Sequence, residues 1–157
     1  MSLATSYLEV SQASKAKAAN ETRDELGINV PNDVVDCKVS VDGTWQRRGY
    51  SSLNGVVTLK SNTNGKCIDT HTMSKCCKGC QYWERRKESG EAYDRWKNYH
   101  VCSINHTGSA GAMQVSGAIT MFQRSIASHS LRYTGYIEDG DTKAHQNVVD
   151  AKPYGDT

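Results

Sequence analysis

Little in this chain interrupts an ordinary fold. Of 157 residues only two are proline, and there is no internal repeat or low-complexity tract, which excludes Pro-rich linkers and repeat arrays. No run of about 18 apolar residues occurs, and no basic stretch leads into an apolar one at the start, so neither a transmembrane helix nor a secretory signal is expected. The net charge of +2 is too small to mark the whole chain as a nucleic-acid binder, although it leaves room for a local basic patch. With 37% hydrophobic and 23% charged residues, one soluble intracellular domain with a sizeable core is expected. What the chain does have is six cysteines, at 37, 67, 76, 77, 80 and 102. Six could make three disulfides, but four of them cluster near histidines, a pattern that favours metal in a reducing compartment.

Residues 1–26 are rich in Ala, Lys and Glu without a breaker, and predict a surface helix with Leu3, Tyr7, Leu8 and Val10 near one side for packing or linkage. "GINVPND" ends it, so that 1–30 reads as an N-terminal helix and linker. From 34 to 45, Val35, Cys37, Val39 and Val41 alternate with Asp36, Lys38, Ser40 and Asp42, the period of a strand with one buried face. Strands at 52–60 and 66–73, joined through "SNTNG", complete an antiparallel meander. Between 112 and 128, Val115, Ala118, Phe122 and Ile126 recur at helical spacing with Ile119 and Met121 beside them. A strand from Leu131 to about Glu138 runs into the acidic turn Asp139-Gly140-Asp141, and a short helix closes the chain. The fold class is therefore α/β, with a mixed sheet of three meander strands, a helix, a fourth strand and a helix. A crossover makes the first and fourth strands neighbours.

The segment 74–111 stands apart, poor in aliphatics but holding two tryptophans and most of the Cys and His. Cys77-x2-Cys80 lets two thiolates converge on one tetrahedral ion, and Cys102-x3-His106 supplies a matching pair, with His100 and Cys76 competing for the fourth place. So small an apolar content needs a staple, which favours structural zinc over unligated or redox-active thiols. Catalytic zinc is disfavoured, since four protein ligands leave no open position. Lys75 to Cys102 carries seven basic and four acidic residues. Its Tyr82, Trp83, Tyr93 and Trp96 either cover the metal site or touch nucleic acid, and covering is the favoured reading.

Asp42 and Asp139 stand near the ends of the first and fourth strands. Each is either a solvated group, Asp139-Gly140-Asp141 then being a simple turn, or a leg of a Mg2+ or Mn2+ site of the kind that activates water against a phosphodiester. Arg47 and Arg48 follow, as solvated hairpin residues or phosphate contacts, and Trp45 is expected to pack.

The strings "VDCKVSVDGTWQRRGYSSLNGVV", "MSKCCKGC", "CSINHTGSAGAM" and "RYTGYIEDGDTKAH", in this order, resemble the Mutator-like transposase domain of eukaryotic mobile elements and proteins derived from them, over about Asp33 to Tyr154. The resemblance implies an RNase H-like core over 33–157 with a DDE-type site that cuts and joins DNA. Asp42 matches the first catalytic acid and Asp139 the second, with Asp141 a weaker candidate. It also implies DNA as partner, leaves room for self-association, and places the protein in the nucleus or elsewhere inside the cell. The third acid is normally a Glu on a helix past the fourth strand. No glutamate follows Glu138, and Asp150 follows Asp139 too closely. A truncated or domesticated core is therefore expected, with metal binding surviving at Asp42 and Asp139. Two further readings stand beside it: a DNA- or chromatin-binding module without chemistry, and a zinc-stabilised protein-interaction domain.

Overall fold

The computed structural model describes residues 3–27, 33–47, 52–87, 89–137 and 142–155. The elements are α1 (Leu3–Glu25), β1 (Val35–Trp45), β2 (Asn54–Ser61), β3 (Cys67–Ser74), α2 (Lys78–Arg86), α3 (Glu91–Tyr99), α4 (Ala110–His129), β4 (Leu131–Ile137) and α5 (Thr142–Asp150). One four-stranded mixed sheet has the order β3-β2-β1-β4. β2 is antiparallel to both β1 and β3, while β4 lies parallel to β1. The meander and the crossover that the sequence predicts are thus both present.

Alternation decides which face is buried. Val35, Cys37, Val39 and Val41 point inward while Asp36, Lys38 and Asp42 are exposed. Val57, Leu59, Ile68, Met73, Leu131 and Tyr133 continue the inner face, and Met113, Ala118, Met121 and Phe122 of α4 close over it. Each large apolar side chain so buried contributes about 1.5–3 kcal/mol. On the outer face Asp36, Lys38, Asp42, Val56 and Lys60 remain exposed. Trp45 packs on the core, its ring lying where a Cβ on Gly55 would come within 2.3 Å. A side chain at position 55 would displace it.

Two helix faces differ from the sequence expectation. Tyr7, Leu8 and Val10 are exposed, and α1 docks instead through buried Ala18, Ala19 and Thr22, small residues that let a helix approach closely. Arg23 adds hydrogen bonds of 2.7 Å to the carbonyls of Asp33 and Ser130. Leu3 has its side chain outside the described residues. In α4 the buried line is Met113, Gly117, Met121 and Ser125 with Ala118 and Phe122. Val115 is only half-buried and Ile126 is exposed, because hydrophobicity alone overlooks the small residues at the closest contact. Ser109 caps this helix by accepting from the Ala112 N–H at 3.1 Å.

Between Cys37 and Lys38 the β1–β4 register shifts: Cys37 pairs with Tyr133 but Lys38 with Gly135, leaving Thr134 extra. Such a bulge resets which face the later residues take. Tyr136 consequently packs on the core like Tyr133, and Ile137, paired with Ser40, is exposed.

A buried ion pair clamps α4 to edge strand β3. Asp69, 4% exposed, receives Arg124 Nε at 2.8 Å and Nη2 at 2.7 Å, and His129 Nε2 lies 3.9 Å away. Burial alone would push the Asp69 carboxyl up. The facing His129 and the charged hydrogen bonds of Arg124 outweigh that and hold it at about 2.

Candidate metal centre and strand-end carboxylate

No residue of the segment between β3 and α4 belongs to the core cluster, and α2 and α3 bury none of their residues. Its thiols converge instead on one point. Cys77 is the extended N-cap residue of α2, Cys80 stands on the first turn, and His100 follows α3 as its extended C-cap. Cys102 lies just beyond. The ligand atoms of Cys77, Cys80, His100 and Cys102 all fall within 4.8 Å of one another. His100 Nε2 is 3.3 Å from Cys77 Sγ and 3.5 Å from Cys80 Sγ, and the Cys80 and Cys102 sulfurs are 3.7 Å apart. A tetrahedron with Zn–S near 2.3 Å and Zn–N near 2.0–2.1 Å has edges of about 3.5–3.8 Å. The Cys3His cluster can hold a metal ion and is consistent with structural zinc.

The electrostatics of the cluster suit a cation. The backbone N–H groups of Cys80 and Ser103 and the Ser103 hydroxyl lower the Cys77 thiol to about 5, whereas burial and the facing thiols of Cys102 and Cys77 push Cys80 up to about 12. One thiolate is therefore favoured here and a second is opposed, until a divalent ion supplies the compensating charge.

Neighbouring residues fix these side chains. A Cβ on Gly79 would meet the His100 ring at 3.0 Å, so glycine lets the imidazole lie against α2. Trp96 stacks on that imidazole with centroids 4.3 Å apart. Asn105 fastens the segment to β3: its Oδ1 accepts from the Ser74 N–H at 2.7 Å and its Nδ2 donates to the Thr72 carbonyl at 2.9 Å.

The fourth place in the cluster therefore goes to His100 and not to His106. His106 Nε2 donates to the Ser109 carbonyl at 3.2 Å, beside the start of α4. Cys76 also lies outside the cluster, with its sulfur 3.9 Å from Ser74 Oγ and 4.0 Å from Asn54 Oδ1. The sequence offered His100 and His106 alike, and the end of α3 at Tyr99 decides between them. The anchoring role of Asn105 had no sequence signal.

Asp42 lies on β1 opposite Thr58 of β2 and is exposed on the outer face of the sheet. The last described β1–β4 pair is Ser40 with Ile137. Asp139, Asp141 and Arg48 lie outside the described residues. Arg47 is exposed, and its backbone N–H donates to Ser52 Oγ at 3.4 Å. Among the described residues no helix is long and apolar enough to cross a membrane.

Comparison with curated proteins and with solved structures gives no significant match. A family model does match: that of the Mutator-like transposase covers residues 2–157. Motif order, mixed sheet and Cys/His cluster are thus joined by a match over nearly the whole length, and the chain belongs to the Mutator-like transposase family.

Proposed function

We propose that the chain carries an RNase H-like, DDE-type fold acting on DNA, with Asp42 and Asp139 as two of its metal-binding acids. The observation that supports this best is the register of β1 with the parallel edge strand β4. Ser40 pairs with the exposed Ile137, and Asp42 is exposed on the same face of β1; in the sequence Asp139 follows Ile137 by two residues, as Asp42 follows Ser40. The extra residue at Thr134 is what pairs Ile137 with Ser40. Asp141 is the weaker second candidate, since it is two residues farther from β4. Mg2+ or Mn2+ held there would activate a water and stabilise the leaving oxygen of a phosphodiester. Asp42 would present its carboxylate to the ion from a rigid strand, and Arg47 would face a passing phosphate. Zinc at Cys77, Cys80, His100 and Cys102 is structural on this reading.

These 157 residues hold no glutamate after Glu138. Asp150 is exposed on α5 and accepts from Gln146 at 2.8 Å. No third acid is assigned among these residues. The second reading is a nuclear DNA- or chromatin-binding module that keeps the fold without the chemistry, which flanking sequence lacking a downstream Glu would favour.

Fe2+ in place of Mg2+, with ascorbate and peroxide, cuts backbone close to where it binds. Cuts are expected near residue 42 and near residue 139, and both should vanish in Asp42→Asn. Cleavage confined to the Cys/His segment, or unchanged in the variant, would contradict a shared carboxylate site.

A further inference from the structure

Beside the metal cluster lies a cleft of about 350 Å3 between α2 and α3, lined by Cys80, Trp83, Glu84, Lys87, Tyr93 and Trp96. Its aromatic wall is continuous. Trp83 is 5.5 Å from Tyr93 and 5.7 Å from Trp96 between ring centroids, and Tyr93 is 5.8 Å from Trp96. Covering the metal accounts for only part of this wall, because Trp96 alone stacks on the ligating His100. Trp83 and Tyr93 remain half-exposed although nothing else in α2 or α3 is buried. Half-exposed rings of this size cost apolar hydration that a purely structural hairpin would not need to bear.

Charge indicates what seats there. The segment Lys75 to Cys102 has seven basic residues against four acidic ones, in a chain whose whole net charge is only +2. Lys87 closes the α2 end of the cleft, held by its left-handed C-cap conformation (φ 50°) and its N–H to the Trp83 carbonyl. Lys97 sits over the Tyr93 ring at 5.9 Å. Flat π-faces beside ammonium groups suit a base with its phosphate.

We propose that this cleft receives an unpaired DNA base, stacked on Trp83 and Tyr93 with its phosphate at Lys87. The inference rests on the DNA-acting reading above and deepens it: the metal-stapled hairpin would hold a single-stranded or frayed end while the sheet holds the carboxylates.

The test uses the full zinc-loaded chain and three labelled DNAs of one sequence: a blunt duplex, the duplex with a short single-stranded overhang, and the same overhang made abasic. The overhang is expected to tighten binding about tenfold, since each stacked base contributes on that order. The abasic overhang should return affinity to the blunt-duplex value, and only the base-bearing overhang should quench tryptophan emission. Trp83→Leu that still carries one zinc should lose the gain, and Lys87→Asn, which tolerates the left-handed cap, should lower the salt slope by about one. Equal affinity for the two overhangs, with duplex binding intact, would overturn the cleft proposal alone. Failure of all three DNAs to bind would overturn the DNA-acting reading together with it.

Discussion

Replacing His100 with Ala, or stripping the metal with a chelator, is expected to unfold α2 and α3 while the sheet stays folded. The two nine-residue helices are too short to persist alone, since isolated helices below about 12–15 residues are marginal in water. They bury no residue of their own. Zinc binding to comparable small domains contributes about 10–16 kcal/mol, far more than the aromatic contacts, which are worth about 0.5–1.5 kcal/mol each. The expected signature is a partial loss of helical circular dichroism and a red shift in emission, because Trp83 and Trp96 both sit in this hairpin. His106→Ala should leave the zinc content at one per chain. Equal loss of zinc from both variants would show that His106 enters the site, and full helix content after chelation would show that packing, not metal, holds the hairpin.

The second large effect belongs to the Asp69–Arg124 clamp. Arg124→Met leaves a buried carboxylate without its partner and should cost about 3 kcal/mol, the lower end of the range for breaking a buried pair, because the Arg124 side chain is 37% exposed and partly solvated. For a domain of this size that lowers Tm by about 6–12 °C. Asp69→Asn should cost less, about 1–2 kcal/mol, since Arg124 can turn to solvent and the amide can still accept from the Thr70 N–H. The pH dependence follows from the sign of the shift. The folded Asp69 carboxyl is lowered from 3.8 to about 2, so its contribution is fully present above pH 4 and lost as pH falls through 2. In Arg124→Met the lowering that Arg124 supplies is lost while His129 and the Thr70 N–H remain, so the carboxyl sits higher than in wild type and has less of this contribution to lose on acidification. The gap between wild type and Arg124→Met should therefore narrow from pH 7 to pH 3 in urea titrations. A gap that widens toward low pH would refute the clamp.

How much of this was legible in the sequence depended on the range over which each signal acts. The inner face of β1 could be read from Val35, Cys37, Val39 and Val41 because alternation is local and nearly strict there. Cys77, Cys80 and Cys102 were legible for the same reason. The fourth ligand was not, because His100 and His106 both stand near Cys102 and the choice is made by where α3 ends. That helix carries aromatic and charged residues in place of aliphatics, so periodicity in aliphatics could not reveal it. On α1 the apolar residues Tyr7, Leu8 and Val10 misled, since close packing selected Ala18, Ala19 and Thr22. Asp69 and Arg124 are 55 residues apart, and nothing local announces their meeting. The bulge at Thr134 was equally silent, yet it sets the face that Ile137 takes.

Two metal sites with separate tasks are the centre of this account, a thiol site that builds the hairpin and a carboxylate site on the open sheet face. Native mass spectrometry of the full chain with added Mn2+ tests both at once, comparing wild type with Asp42→Asn. The account predicts one zinc in each protein and Mn2+ bound to the wild type alone. Equal Mn2+ binding by both proteins, or none by either, would contradict the carboxylate site and leave a zinc-stapled fold whose link to DNA lies elsewhere.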